Sequence, residues 1–419
     1  MNKFVQKLFI VLFPFYPLWG WLSYTLVHRN VGMFVTLLCA PFAIVYLIKS
    51  EKKIPKYLIF FICFTIYHLI SVYYHDLALI HSTNWFAFIL SDINVSACLI
   101  FIIVENLAFE KKYFDILSQC IFLSIIVTLA VSLIQIKYID FFISPEIMGE
   151  DGGDLIYLRE QRSFSFYSWA NLNSLGITFP IFISLLLGIK NSKKGRHLIV
   201  TLCGILVALL GRARYIMISV VVVISQLFFS KKVTLRKKLL LFAGIAIGAI
   251  FLINIMSSIG FNIDQVISDR ILEKDTDMSS AMARVTSYEV FVLKFPEHPW
   301  WGVGPETRDD VKDLLGDSIP LIHIGYLSYL YYYGVIGSFI FLLSLYYLSR
   351  EAWKVGRKTK FWGSFYGLLT FCIANLTFVY FNLSEAGIIM AVVFLRYYAN
   401  IMVDNTQINT FNFRNKREN

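Results

Sequence analysis

Two arginines, Arg212 and Arg214, stand inside the otherwise apolar run LVALLGRARYIMISVVVVI at residues 206–224. An arginine at a bilayer centre costs about 2.5 to 3.5 kcal/mol on insertion scales. A pair of them therefore marks a surface turn, a site, or both. The guanidinium is a planar fork that grips phosphate through two parallel hydrogen bonds, which an ammonium cannot do. Arg212 and Arg214 are thus candidates for holding a phosphate-bearing ligand. The plainer alternative is that both only snorkel toward lipid head groups. Further along, His323 opens the run HIGYLSYLYYYGVIGSFIF, with Tyr326 one turn on and with Gly334 and Gly337 permitting close helix contact. A lone histidine at an interface is usually structural. Yet histidine is the side chain best tuned to take a proton near neutral pH, and an outward-facing one amid arginines suits general-base attack on a lipid-linked diphosphate.

Composition supplies the elements that must position these groups. Of the 419 residues 57% are hydrophobic and only 16% charged, with a mean hydropathy of +0.65. A soluble chain carries roughly 25% charged residues, so this one reads as a polytopic membrane protein. At the roughly 20 residues a helix needs to cross hydrocarbon, twelve candidate spans appear. They lie at about 8–26, 31–48, 57–75, 84–104, 114–135, 173–189, 197–211, 213–229, 239–257, 323–348, 361–380 and 384–402. The basic start MNKFVQK resembles a signal peptide, but PFYPLWGW stands where a small-residue cleavage site would, so the segment is expected to remain as the first span. The six cysteines all fall in apolar runs, where a thiol acts as a small hydrophobe; no disulfide framework and no CxxC metal site is expected.

Cytoplasmic loops carry the excess of lysine and arginine. With both termini inside, 26 of the 38 basic residues fall on the inner side and 12 on the outer. The net charge of +10 is mostly this topology signal, to which attraction to anionic lipid adds nothing specific. In that frame GRARY turns on the outer face, against the charge rule. The outer basic residues comprise four lysines and eight arginines: Arg29, Arg159, Arg162, Arg212, Arg214, Arg270, Arg284 and Arg308. Enrichment of arginine over lysine there points to a phosphate-bearing ligand on that side.

Two outer loops, 136–172 and 258–322, exceed the usual length of a plain connection, and a tail, 403–419, is assigned to the cytoplasm. The loops hold Tyr157, Phe164, Phe166, Tyr167, Trp169, Trp300 and Trp301, rings on which a sugar could stack beside arginines and carboxylates. For any single ring the ordinary aromatic belt at the interface is the better account. Asp275 and Asp277 form a DxD pair in the second loop; they read as solvated charge, because hard cations want more oxygens than two aspartates give. No G-x-x-x-x-G-K-[ST] or H-E-x-x-H motif and no repeat of 20–50 residues occurs.

Taken together, GRARYIMISVVVVI, ARVTSYEVFVLKFPEHPWWGVGPE and HIGYLSYLYYYGVIG resemble successive signature segments of the bacterial O-antigen ligase and polymerase superfamily. Upstream, RSFSFYSWANLNSLGI is similar to that family's arginine followed by an asparagine-bearing helix entry. The resemblance implies an all-α, polytopic transmembrane bundle of about 12 spans, GT-C in type, forming a single integral membrane domain over 1–419 with two structured extracytoplasmic loops. It also implies a metal-independent enzyme with no cofactor, acting on an undecaprenyl-diphosphate-linked oligosaccharide at the outer face of the bacterial inner membrane. By position, Arg212 or Arg214 and Arg284 would hold the diphosphate and His323 would deprotonate the acceptor hydroxyl. Arg162, Asn171, Tyr288, Trp301 and Tyr326 would contact substrate. The departure lies after the histidine, where the family often has asparagine or serine and this chain has Ile324 and Gly325.

The same resemblance covers two reactions, growth of a repeat-unit chain and transfer of a finished glycan to lipid A core. The smooth run HIGYLSYLYYYGVIG favours the polymerase. Membrane lipid, a flippase and a chain-length regulator are the implied partners, and nucleic acid is not among them. A flippase without chemistry is a third reading. Transporters place ionisable residues within spans, and only a few such candidates, Asp92 and Glu385 among them, are present.

Overall fold

The computed structural model describes residues 2–27, 31–50, 53–75, 85–138, 141–142, 163–189, 194–229, 279–304, 322, 324–376 and 383–415, with scattered positions between 236 and 254. All regular structure among them is helical. The helices are α1 (Asn2–Leu12), α2 (Tyr16–Val27), α3 (Val31–Lys49), α4 (Lys56–His75), α5 (Trp85–Ser91), α6 (Ile93–Asn106), α7 (Lys111–Gln135), α8 (Asn171–Gly188), α9 (Lys194–Leu210), α10 (Arg214–Phe229), α11 (Ser279–Lys294), α12 (Gly325–Thr359), α13 (Gly363–Ala374) and α14 (Ala386–Asn415). Short 3₁₀ turns at Ser165–Ala170 and Phe295–Glu297 precede α8 and follow α11. Eleven of the twelve apolar runs fall on these helices; the run at 239–257 lies largely outside the described residues.

Among the described residues, α3, α4, α7 and α12 are each long and apolar enough to cross a membrane. Two further runs are broken rather than straight. The first bends by 76° between α1 and α2, at Phe13-Pro14, where the proline disfavours a helical residue before it. The other bends by 54° between α5 and α6. There Asp92 takes an extended conformation and its Oδ1 accepts the amides of Asn94 and Val95, both at 2.9 Å, capping α6. Apolar stretches of α8, α9, α10, α13 and α14 are shorter.

The apolar faces of the outer helices point away from the protein. On α12 Val335, Phe339, Leu342 and Tyr346 are exposed at spacings of four, three and four, a single stripe of the kind lipid tails cover. At the centre the pattern reverses. Every residue of α8 from 175 to 187 is buried, as are residues 385–395 at the start of α14, so these two helices are wrapped by protein. α8 packs against α10, α13 and α14, α4 runs along α12, and α3 along α6. Gly387 lets α8 and α14 touch: a Cβ there would stand 2.7 Å from Thr178 Cα. At the lysine-rich end, Arg396 of α14 pairs with Glu105 of α6 and, at 2.6 Å, with Glu351 of α12, while the Tyr57 hydroxyl of α4 donates to Glu105. Four helices are thereby pinned at the end opposite GRARY.

Candidate functional site

The turn carrying the two arginines is formed by the chain leaving α9. Gly211 donates to Val207 O at 2.9 Å and Arg212 to Leu209 O at 3.2 Å, after which Arg212 turns left-handed with φ of 48°. That region suits glycine or asparagine and is strained for a long side chain. Arg212 is buried and Arg214 half-buried as the first residue of α10. A helix N-terminus presents unpaired amides and a positive dipole end, so an arginine pair placed there adds to a field that already favours anions.

Against this turn lies the segment leading into α8. Ser163 N donates to Leu210 O at 3.0 Å. The side chain of Gln135, at the end of α7, gathers this segment. Its Oε1 accepts from Ser163 Oγ, Phe164 N and Ser165 N at 2.8, 3.1 and 2.8 Å, and its Nε2 donates to Phe141 O and Ser165 O at 2.7 and 2.9 Å. Ser165 Oγ completes the clasp by donating to Thr128 O at 2.9 Å. GRARY and the entry to α8 are therefore joined through the backbone, and the Tyr215 ring packs directly over Gly176. Asn171 opens α8. Arg162 lies outside the described residues, as do Tyr157, Asp275 and Asp277. The offer of Phe164, Phe166 and Tyr167 as sugar-stacking rings is corrected: they are 6, 1 and 0% exposed and belong to the core. An aromatic type does not by itself say which way a loop folds.

A second cluster surrounds the start of α12. Tyr326 is half-buried and its hydroxyl donates to Cys372 O of α13 at 2.9 Å, so its polar end is engaged within the bundle. His323 lies outside the described residues. Eight residues beyond Tyr326, α12 is broken at Gly334, with φ of 62° and ψ of −170°, a conformation open essentially to glycine alone. The residues Pro299–Gly304 fill the break as a strap. Val335 and Ile336 donate to Pro299 O and Trp300 O at 2.8 and 3.2 Å, and Val303 and Gly304 donate to Tyr331 O and Tyr332 O at 3.1 and 2.9 Å. The strap carries Trp300 and Trp301 outward, each 63% exposed. Tyr67 of α4 lies parallel to the Trp301 ring with centroids 6.2 Å apart, and its hydroxyl sits 2.7 Å from Trp301 O and 2.9 Å from Tyr333 O.

The remaining expected site residues sit on α11, which packs against α12. Arg284 is in its first half, and Tyr288 is exposed beside Val285 and Val292. The arginine turn and the α12 mouth are linked through α13, which packs against α8, α10 and α12 alike. Sequence reasoning gave no site role to Gln135, and it raised Glu385 only as a transporter-type residue. Glu385, buried at the head of α14, accepts from Thr178 Oγ1 at 3.0 Å. Among the described residues no three His, Cys, Asp or Glu side chains gather as a metal-binding group would require.

Residues 175–342 fit the model of the O-antigen ligase family, a stretch that holds Arg212, Arg214, Arg284, Tyr288, Trp301, His323 and Tyr326 but leaves Arg162 and Asn171 before its start. No curated protein matches the chain.

Proposed function

We propose, from the premise that residues 175–342 carry an O-antigen ligase-type domain of the O-antigen ligase and polymerase superfamily, that this is a membrane glycosyltransferase elongating undecaprenyl-diphosphate-linked repeat units. The site faces the periplasm or the outside, in a GT-C bundle of about twelve spans with both ends in the cytoplasm. The observation that carries the reading is the arginine turn: Arg212 is kept, buried, at a left-handed position where glycine would cost nothing, and Arg214 comes two residues later at a helix start.

In the reaction the acceptor hydroxyl oxygen bonds to the anomeric carbon while the bond from that carbon to the diphosphate oxygen breaks. The hydroxyl proton passes to the His323 imidazole, and undecaprenyl diphosphate leaves. Charge grows on the leaving group, so Arg212 or Arg214 with Arg284 lower the barrier by holding it; loss of one such preorganised donor typically costs 10²- to 10³-fold in rate. Trp301 and Tyr288 are exposed rings available to sugar, with Arg162, Asn171 and the ring of Tyr326 completing the substrate contacts. A flippase that supplies the donor and a chain-length regulator are the expected partners.

The test is transfer from a defined lipid-linked donor by Arg214→Lys, Arg284→Lys and His323→Ala at matched membrane levels. Lysine lacks the fork, so both arginine variants are expected to fall 10²- to 10³-fold, and the histidine variant by roughly 10² to 10⁴. Near-normal turnover in the arginine variants would reduce GRARY to a topological anchor. The family's description as a ligase keeps a second reading open, and a deletion strain separates the two on a glycan gel. A polymerase null leaves single repeats on their acceptor, whereas a ligase null strands long chains on undecaprenyl diphosphate.

A further inference from the structure

His68, Asp92 and Tyr333 come from α4, the α5–α6 break and α12, and all three are at most 8% exposed. His68 Nε2 lies 2.8 Å from Asp92 Oδ2, and its Nδ1 lies 2.8 Å from the Tyr333 hydroxyl. Asp92 Oδ1 is occupied separately by the cap on α6. An ionised carboxylate can only accept hydrogen bonds. With the imidazole neutral, Nε2 therefore carries the proton, Nδ1 is an acceptor, and Tyr333 donates to it. The orientation of one hydroxyl on α12 is thus set by a carboxylate two residues before Asn94.

Capping alone does not account for this arrangement. A serine or asparagine caps a helix as well as aspartate does, and neither brings an ionisable group into an apolar span. Within membranes such groups are costly and are kept where they do work. What this chain reaches is the residue just before Gly334. Tyr333 is held from both sides by consecutive residues of α4, its carbonyl by Tyr67 and its hydroxyl by His68. The one proton of the same Tyr67 hydroxyl is shared with the carbonyl of Trp301, 2.7 Å away. The chain therefore ends on the hinge from which the Pro299–Gly304 strap hangs.

We propose that Asp92 and His68 are positioning residues that act through Tyr333, fixing the break in α12 and with it the Trp301 ring at the outer site. The role in transfer rests on the glycosyltransferase reading; the placement of the strap does not.

Asp92→Asn is the decisive change. Its Oδ1 can still cap α6, but an amide replaces the acceptor at Oδ2. His68 must then turn a lone pair toward position 92 and a proton toward Tyr333, whose hydroxyl can no longer donate. In full-length protein in lipid nanodiscs, Tyr333→Phe, which deletes the bond to His68, and Asp92→Asn, which reverses the chain and replaces its charge-assisted bond by a neutral one, are each expected to raise KM for the lipid-linked repeat roughly 10-fold, with a smaller fall in kcat. Because the residues act as one chain, the double variant should lose no more than the worse single. Independent, multiplying losses would overturn the proposal, and so would a loss that tracks a lowered thermal midpoint. A second readout needs no turnover: the rate at which Trp301→Cys reacts with a soluble thiol reagent should change about tenfold when Asp92→Asn is added. An unchanged rate sinks the positioning role even if transfer is impaired. A changed rate in a protein that transfers no glycan supports the strap and rejects the enzyme.

Discussion

Arg212 holds a backbone conformation that costs a long side chain on the order of 1–3 kcal/mol. Asparagine takes that conformation readily, which separates stability from function at one position. Arg212→Asn is expected to leave the thermal midpoint unchanged or higher, with a fall in glycan transfer of at least 10²-fold where Arg212 rather than Arg214 holds the diphosphate; a drop in both together would make Arg212 a structural residue. If guanidinium groups do the work a metal does elsewhere, transfer should persist in excess chelator. Activity lost to EDTA and restored by magnesium or manganese would remove that account. The turn at Arg212 was legible in the sequence because two charges in an apolar run are conspicuous. Gln135 was not, because its acceptors and donors lie near residues 141 and 163–165 and no spacing rule connects them. Nor was the partnership of His68 with Tyr333, which are 265 residues apart. Nothing in the letters marks Phe164, Phe166 and Tyr167 at the entry to α8 as inward-facing; the clasp on Gln135 sets the path of the chain that buries them.

Among elements, the broken helix α12 carries the sharpest expectation. A Cβ at Gly334 would strike Trp300 O, and one at Gly302 would strike Tyr332 O, where φ is 74°. Each alanine is strained in backbone and in space, so Gly334→Ala or Gly302→Ala should detach the strap while leaving the lipid-facing stripe of α12 intact. The measurable outcome is protein at normal membrane level, with new protease cleavage near Trp300 and transfer reduced at least tenfold. Normal transfer with an intact strap would show that α12 can straighten without cost. Hydropathy located this helix to within a few residues at its start and gave no hint of its break or of its extension to Thr359. Apolar length says that a segment can cross a bilayer, not that it crosses straight. The bends at Pro14 and Asp92 carried local signals, a proline and a buried-looking aspartate, that a hydropathy window averages away.

For the whole molecule, the uneven split of basic residues makes a topological prediction. Ser279→Cys should react with an impermeant thiol reagent applied from outside and Ser192→Cys should not; the reverse labelling would move every proposed site to the wrong face. The helical architecture of the described residues was readable from composition, because backbone polar groups in lipid must be satisfied within a helix or a closed barrel. Which helices stand at the centre was not, since α8 and its lipid-facing neighbours are equally apolar. That central place has a consequence for synthesis. Thr178 of α8 finds Glu385 only 207 residues later, about 10 to 40 s of translation at ~5–20 residues per second. For that interval α8 has left the ribosome without the helix that completes its surroundings, and lipid, an insertion factor or a temporary neighbour must stand where α14 will be. The entry to α8 thus emerges long before the helix against which it packs, and its buried Thr178 waits that long for its carboxylate partner.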